Sequence, residues 1–436
     1  MITICRFQYF LVPEAFSCNS PIIEGTCLSM KTIGIVTTWF ERGAAYVSKM
    51  YYEALKNHFN VLIFARGGEK TGQGDPNWDL PHVTWGKRYG DGSFRIDKNQ
   101  FFQWIKNNNI EAILFNEQRE YGILADTKMA FPNVAIGAYV DYYTEDTIPL
   151  FDVYDFVVCN TKRHLEAMEG HKQAYYVRWG TDIDLYKAAD VRPIDKNDGM
   201  VTFFHSAGMS PRKGTDVLTK CFIEHGFYKK AKLVIHTQVS IDTITDYTQK
   251  ELESYGITVI KKTVTAPGLY YMGDVYVYPT RLDGLGLTMY EALSSGLPVI
   301  TTDYPPMSEV VDETCGRLVK VARHYCRADA YYWPMSICDE DDLASTMEFY
   351  ADNPDVVRRQ QACARRTALE KFDWSKNARE LPAIFDQVKA YPINDRLYKA
   401  IKKRASKESL AMLPSRIVHG TALGRFARSL IRGNSQ

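Results

Sequence analysis

The stretch Pro279–Asp303, "PTRLDGLGLTMYEALSSGLPVITTD", passes from a loop to a helix and then to a strand within 25 residues. Its first part carries turn-forming residues around Gly284 and Gly286, and a run of helical composition follows until Gly296. The apolar end and the preceding "DVYVYP" are typical of buried strands. Strands that alternate with helices in this way predict an α/β domain built on a parallel sheet.

The same alternation extends along the chain in both directions. Amphipathic segments such as "ERGAAYVSKMYYEALKN", in which Val47, Tyr51 and Ala54 share one face, separate short β-branched runs. The runs that predict strands are "TIGIVTT", "NVLIFA", "EAILFN", "NVAIGAYV" and "DFVVCN", and later "MVTFFHSAG", "AKLVIHT", "GITVIKK", "GDVYVYPT", "LPVITTD" and "GRLVKVA". The polar segment 181–199 interrupts this order, so we predict two doubly wound α/β units joined by a linker.

Length and composition agree with two domains, because 436 residues with 45% hydrophobic side chains exceed one ordinary core. We place the domains at 30–180 and 200–375. Residues 1–29 precede "KTIGIVTTW", which reads as a first strand directly after Met30. We expect Met30 to be the natural start and the earlier residues to be an appendage; a poor export signal is the alternative.

Charge and cysteine usage exclude several classes of protein. The formal net charge is +1, so the whole chain is not built to bind nucleic acid. Nine cysteines occur without a CxxC pair, which argues against a zinc ribbon or a disulfide framework and favours a reducing compartment. Since no run of 18 apolar residues occurs, we expect a cytoplasmic protein without a transmembrane helix.

The glycine loop of the opening stretch predicts an anion site. In open parallel sheets, ligands bind beyond the carboxyl ends of the strands, and this loop leads into a helix that should start near Leu287 or Thr288. The first amides of that helix lack internal partners and can bind a diphosphate. Glu291 could hold the vicinal hydroxyls of a ribose, and Asp283 those of a second sugar. The alternative is that the loop is only a turn.

A second loop, "SPRKGTDVLTK", follows the first strand of the second unit. It places Arg212 and Lys213 directly before Gly214, where a strand again gives way to a helix. Two cations at the end of a neighbouring strand would neutralise a diphosphate leaving group. The alternative is a solvated charge pair beside a turn.

Taken together, "YMGDVYVYPTRLDGLGLTMYEALSSGLPVITTD", the later "SEVV" and "RKG" resemble the donor-binding signature of retaining nucleotide-sugar glycosyltransferases of the GT-B type. The resemblance covers about residues 30–393 and implies an α/β fold of two Rossmann-like domains facing a cleft. It implies that Lys213 and Arg212 hold the diphosphate and that Asp283 holds the donor sugar as the third catalytic residue. The segment 376–393 resembles the helix that closes the family's fold by returning to the first domain.

For the donor, the resemblance implies a site at the glycine loop and the start of the helix. Its residues are Gly284, Gly286, Leu287, Thr288 and Glu291, with Gly43 facing them from the first domain. It implies a UDP- or GDP-sugar donor, a glycan or lipid-linked acceptor, no metal and no further cofactor. The expected activity is therefore hexosyl transfer with retention, in the synthesis of cell-surface polysaccharide or glycoconjugates.

The sequence departs from the family pattern at several positions. The first acid of the motif is Asp283 where the family has Glu, and the first-domain stretch "AIGAYVDYYTEDT" lacks the His that many members carry, Asp141 being nearest. A segment from Arg323 to Asp342 is inserted, and its aromatic run Tyr331–Trp333 favours packing over sugar stacking. A sugar-nucleotide epimerase of the same architecture and a non-catalytic sugar-nucleotide-binding scaffold therefore stay as alternatives.

Residues 394–436 differ in composition from the rest of the chain. They contain ten Lys and Arg against two acids, mixed with Leu, Ile and Phe. Such a segment is typical of a basic amphipathic helix on an anionic membrane surface, or equally of a solvated tail. The first alternative would make the protein peripheral on the cytoplasmic face of a membrane.

One geometric condition decides the whole interpretation. A diphosphate held by both loops requires the amino end of the helix near Leu287 to lie beside the "PRKG" turn. If the two places lie far apart, the predicted donor site does not exist.

Overall fold

The computed structural model describes residues 30–411 other than 69, 90–92, 140 and 197–198. The described residues from Lys31 onward belong to one compact unit. The predicted appendage, 1–29, and the end of the basic tail, 412–436, lie outside the described residues.

The first half of the described chain is built on a parallel sheet of seven strands in the order β3-β2-β1-β4-β5-β6-β7. The strands are β1 Thr32–Thr37, β2 Asn60–Ala65, β3 Val83–Trp85, β4 Ala112–Asn116, β5 Ala135–Tyr139, β6 Phe156–Cys159 and β7 Ala174–Tyr176. The helices between them are α1 Gly43–Leu55, α2 Lys98–Asn107, α3 Tyr121–Ala130 and α4 Lys162–Ala167.

Burial explains why the first sheet forms. All six residues of β1 are buried, as expected for a central strand covered on both faces. Helix α1 buries Val47, Tyr51 and Leu55 on one stripe, which confirms the helical spacing read from the sequence. Thr161 begins α4 by accepting a hydrogen bond from the backbone amide of His164, so the chain turns into a helix directly after β6.

The second half has its own parallel sheet, with the order β10-β9-β8-β11-β12-β13 within the described residues. Its strands are β8 Thr202–Gly208, β9 Lys232–Thr237, β10 Thr258–Lys261, β11 Val275–Tyr278, β12 Val299–Thr302 and β13 Gly316–Val319. Its helices are α5 Pro193–Lys196, α6 Thr215–Glu224, α7 Gln249–Ser254, α8 Leu287–Ser294, α9 Glu340–Asp352 and α10 Pro354–Lys371. The two sheets give the doubly wound pair that the sequence predicts.

After α10 the chain returns to the first sheet through two short helices, α11 Trp374–Asn377 and α12 Leu381–Gln387. The ring of Phe385 packs against Phe59 and Phe156, with centroid distances of 6.4 and 5.4 Å. Trp374 packs against Trp179 at 4.5 Å. These buried aromatic contacts join the end of the second half to the first.

The inserted segment forms a hairpin, which the sequence analysis did not predict. We took "GRLVKVA" as one strand, but β13 ends at Val319 and a new strand, β14 Val321–Tyr325, pairs antiparallel with β15 Met335–Cys338. The tip of this hairpin packs on the first half. Tyr331 stacks on Tyr142 at 5.2 Å, and Trp333 Nε1 donates to the Tyr143 hydroxyl at 2.6 Å. The packing role expected for the aromatic run is confirmed.

The final described element is α13, Asp395–Ala411. Its Ile401 is fully buried in the first half, and Leu397 and Tyr398 pack against the same core. Lys402 pairs with Asp126 on α3 at 2.9 Å. The expectation of a solvated tail is therefore wrong for Asp395–Ala411, because its apolar side chains contact the protein itself, whereas contact with a membrane stays a prediction. No helix within the described residues has the length and apolar character needed to cross a membrane.

Candidate active site

The two loops predicted to share a diphosphate lie side by side. The backbone amide of Arg281 donates to the carbonyl of Arg212 at 2.8 Å, and the Thr280 hydroxyl donates to the same carbonyl at 3.2 Å. Gly214 has φ +76°, and a Cβ there would lie 2.1 Å from the carbonyl oxygen of Pro279. Only glycine allows this close approach. The geometric condition set by the sequence is therefore met.

Lys213 and Asp283 contact each other directly. Lys213 Nζ lies 2.5 Å from Asp283 Oδ2, and the Tyr278 hydroxyl donates to the same oxygen. Burial alone would raise the pKa of Asp283, but the charges of Lys213 and Arg212 hold it well below its usual range. The sequence assigned Lys213 and Asp283 to different parts of the donor and did not anticipate this ion pair.

The helix that follows the glycine loop begins at Leu287, as predicted. Gly286 caps it with φ +74°, and a Cβ at Gly286 would lie 2.3 Å from Met289 Cε. The Thr288 hydroxyl oxygen is buried and has no hydrogen-bond partner among the described residues. The free amides of this first turn and that hydroxyl form a set of donors that suits an anion.

Glu291 lies just after the first turn of α8. It is the fifth residue of the helix, and its carboxylate accepts a hydrogen bond from the Tyr270 hydroxyl at 2.5 Å. Burial raises the pKa of Glu291, and hydrogen bonds from Tyr270 and Tyr186 act in the opposite direction. A cavity of about 140 Å³ contains Glu291, Thr288, Tyr46 and both tyrosines.

From the first half, Gly43 at the start of α1 faces the same helix end. A Cβ on Gly43 would lie 3.5 Å from Leu287 Cδ1, an ordinary contact distance. The neighbouring Arg42 lies 3.8 Å from Glu117. A second cavity, of about 350 Å³, is lined by Gly43, Arg212 and Asp283, together with residues that follow β4 and β5. The site residues predicted from both halves therefore surround one region.

Asp141 contacts the glycine loop around Gly284 and Gly286, which we also call the donor loop. The sequence analysis noted this residue only as the nearest one to a missing His. Its Oδ1 would lie 1.9 Å from a Cβ built on Gly284. Burial, followed by repulsion from Glu117, raises the pKa of Asp141. Glycine is therefore favoured at position 284, because the Asp141 carboxylate occupies the space that a Cβ would need.

Two further residues of the interface were missed from the sequence. The Arg163 guanidinium donates to the carbonyls of Asp283 and Pro305 at 2.6 and 2.7 Å. His164 Nε2 donates to the carbonyl of Gly284 at 3.3 Å. The signal that could have revealed them is "TKRHLEAM", because a helix that starts directly after a parallel strand points its first turn at the ligand edge of the sheet.

The amino end of α4 also has an acidic partner from the second half. The backbone amides of Lys162 and Arg163 donate to the two carboxylate oxygens of Glu309, at 2.6 and 3.0 Å. An acid at a helix amino end is favoured by the helix dipole. Within the described residues no group of three or more His, Cys, Asp or Glu could hold a metal ion.

Comparison with protein families identifies a match in the second half of the chain. Residues 200–332, which contain both loops and α8, match the model described as Glycosyl transferases group 1. Over 178 residues the chain is 25% identical to the MMP alpha-(1->4)-mannosyltransferase of Mycolicibacterium hassiacum, covering 38% of this chain and 39% of that relative. It is 43% identical over 42 residues to the O-antigen biosynthesis glycosyltransferase WclY of Escherichia coli, or 10% of this chain and 12% of the relative.

Solved structures show the same fold at low sequence identity. A glycosyltransferase from Rickettsia africae superposes with a TM-score of 0.64 at 14% identity, covering 82% of this chain and 98% of that one. HepE from Anabaena, solved in complex with UDP, gives 0.62 at 13% identity, with 82% and 100% covered. Sucrose-phosphate synthase from Thermosynechococcus elongatus gives 0.62 at 15%, with 82% and 98% covered. These likenesses concern the fold alone.

Proposed function

We propose that the chain is a glycosyltransferase that transfers a sugar from a nucleotide-diphosphate donor to a glycan or lipid-linked acceptor. The match of residues 200–332 to glycosyl transferases group 1 and the GT-B fold support this proposal. The proposal includes retention of the anomeric configuration, a UDP- or GDP-sugar donor, and a role in cell-surface polysaccharide or glycoconjugate synthesis. The matched relatives are described as a mannosyltransferase and an O-antigen glycosyltransferase, which supports this class over an epimerase.

One observation carries the proposal: the cationic turn lies against the loop that leads into α8, through the hydrogen bond from the Arg281 amide to the Arg212 carbonyl, and Arg212 and Leu287 line the same cavity. As the bond between the sugar and the phosphate breaks, negative charge grows on the leaving diphosphate. Lys213, Arg212 and the first amides of α8 can stabilise that charge without a metal ion. When a diphosphate binds, we expect the Lys213 ammonium to contact both the phosphate and the Asp283 carboxylate.

The remaining roles follow from position. Glu291 and Asp283 line separate cavities, so Glu291 suits the ribose and Asp283 suits the donor sugar. The first half supplies Gly43 and Asp141 across the cleft, where the acceptor would approach. Closure of this region around the donor would exclude the water that otherwise hydrolyses it.

A donor screen tests the proposal. Thermal unfolding is measured with UDP-, GDP- and ADP-sugars, and one nucleotide series should raise the midpoint. Glu291→Ala should remove the shift for that donor, whereas Glu313→Ala, an exposed carboxylate outside the site, should keep it. If no donor shifts the wild-type protein, or if Glu291→Ala shifts fully, the function or the ribose assignment is wrong.

We also propose a cytoplasmic location with contact to an anionic membrane through residues 394–436. Because Ile401 is buried in the protein, deleting all of α13 would damage the fold. The appropriate variant ends at Ala411. Partition of this truncated protein and of the full chain onto vesicles containing anionic lipid should differ. Equal partition would remove the membrane from the proposal.

A further inference from the structure

Two carboxylates at adjacent strand ends have no assigned role. Glu117 directly follows β4, and Asp141 lies two residues after β5; the strands pair in parallel, with Asn116 opposite Tyr139. Both side chains line the cavity of about 350 Å³ that also contains Asp283. Glu117 has φ +52°, an uncommon conformation for a residue other than glycine. The fold thus holds the two carboxylates together beside the donor loop.

Asp141 is held against that loop from two sides. The Tyr331 hydroxyl, from the inserted hairpin, donates to its backbone carbonyl at 3.0 Å. Its carboxylate oxygen occupies the space above Gly284, where a Cβ would come within 1.9 Å. An acceptor that entered the cavity would therefore meet this carboxylate at the same place as the donor loop.

The charged groups around Asp141 come from every neighbouring element. Glu117 and Arg119 follow β4, Tyr139 belongs to β5, Asp283 belongs to the donor loop, and Tyr331 belongs to the hairpin. Burial, then repulsion from Glu117 and a hydrogen bond with it, and then repulsion from Asp283 raise the pKa of Asp141 to about 8, while Arg119 acts in the opposite direction.

Further arginines line the same cavity from the loops on either side. They are Arg42, Arg212 and Arg327. Their positive charge balances the acids and keeps the cavity from repelling an anionic donor.

Other bases near the loop are already engaged. Asp283 is paired with Lys213, and Glu291 lies in the other cavity. His164 donates from Nε2 to the Gly284 carbonyl and accepts at Nδ1 from the Tyr143 hydroxyl, so neither ring nitrogen is free. Among these groups, the carboxylate of Asp141 is the one that faces the cavity without a cation bonded to it.

We propose that Asp141, paired with Glu117, is the base that removes the proton of the acceptor hydroxyl. This inference rests on the proposed function. The acceptor oxygen forms a bond to the anomeric carbon on the same face of the sugar from which the diphosphate departs, as retention requires, and the bond from that carbon to the diphosphate oxygen breaks. The diphosphate leaves with the electron pair, and the acceptor proton moves to the carboxylate and later to water. Glu117 holds the carboxyl in place and shares the proton.

Asp141→Asn tests this role because Asn keeps the size and one hydrogen-bonding oxygen but cannot take a proton. The probe reaction is release of nucleotide from the donor that the thermal screen selects, with water as acceptor. We expect turnover to fall at least about 100-fold, a loss typical of a general base, with donor Kd unchanged within about twofold. Glu145→Gln, an exposed carboxylate four residues later, is the matched control and should retain turnover.

The pH profile separates a base from a structural role. Wild-type turnover should rise with pH, about tenfold per unit, and level off near pH 8, because only ionised Asp141 accepts the proton. Asp141→Asn should lack this rise. If the wild-type protein turns over the donor and Asp141→Asn shows the same rate and the same pH profile, the inference is wrong and the proposed function still stands. Absence of donor binding by the wild-type protein would overturn the function itself.

A second measurement applies even if water is a poor acceptor. Urea unfolding is followed from pH 5 to 8 for wild type and Asp141→Asn. The folded wild type retains a proton that the unfolded chain releases, so its folding constant should fall by up to tenfold per pH unit relative to the variant. Parallel curves for the two proteins would mean that the carboxylate pair holds no proton, and would overturn the inference.

Discussion

Gly284→Ala should force the two halves of the site apart at one point. The added methyl group would lie 1.9 Å from Asp141 Oδ1, which is 1.1 Å inside the 3.0 Å limit that real Cβ contacts respect. Gly284 is not among the positive-φ glycines, so the cost comes from packing and not from backbone strain. Asp141 and Gly284 lie in loops that follow strands of different sheets, and relief of the overlap requires either the Asp141 carboxylate or one of the two loops to shift.

Overpacking of this kind costs about 1–3 kcal/mol. At 25 °C that corresponds to roughly a 5- to 150-fold change in an equilibrium constant. The hydrogen bond from His164 to the Gly284 carbonyl would be disturbed by the same displacement, which favours the upper part of this range. Donor binding, for which we propose Lys213 and Glu291, should change less, because both residues lie in the second half.

A double-mutant cycle by urea unfolding measures the effect. Gly284→Ala should lose about 1–3 kcal/mol, and adding Asp141→Ala should restore most of it, giving a coupling energy above about 1 kcal/mol. Gly43→Ala is the matched control, since its Cβ meets Leu287 Cδ1 at an ordinary 3.5 Å, and it should stay within about 0.5 kcal/mol. An equal cost of Gly284→Ala with and without Asp141 would refute the contact.

Three further predictions concern the fold and the donor site. Asp155→Asn leaves the buried Lys128 ammonium unpaired and should cost about 3–5 kcal/mol in urea unfolding; a cost below 1 kcal/mol contradicts the buried pair. Trp333→Phe removes the donor to Tyr143 and should cost about 0.5–1.5 kcal/mol by the same method, a neutral result contradicting this contact. Lys213→Met should weaken UDP binding roughly 10- to 150-fold in calorimetry, and unchanged affinity would exclude its phosphate role.

Much of the fold follows from local sequence. The short β-branched runs fit strands, and the spacing of apolar residues in α1 fits a helix. The secondary structure of these segments was therefore predictable. The contact between the "PRKG" turn and the glycine loop was predictable as well, because parallel strands bring their carboxyl ends to one edge. Gly214 and Gly286 then adopt the positive φ that these two turns require.

Contacts between distant segments were not predictable in the same way. Arg163 and Asp283 are 120 residues apart, and although "TKRHLEAM" indicates that Arg163 faces the ligand edge, it does not identify Asp283 as the partner. Ile401 lies in a basic segment whose composition suits a membrane or solvent equally, and only the apolar face left open beside α3 decides its place. The Lys213–Asp283 ion pair was missed because each residue was assigned to a ligand instead of to its neighbour.

The hydrogen bonds from Arg163 and His164 to the donor loop have a thermodynamic consequence. The loop belongs to the second half, but residues of the first half hydrogen-bond to its carbonyls. The conformation of the loop is therefore coupled to the contact between the two halves, which we call the joined state. A nucleotide that selects this loop shape must also favour the joined state, and any acceptor that favours the joined state must tighten the nucleotide by the same factor. The second half expressed alone should therefore bind the nucleotide that the donor screen selects more weakly than the full chain.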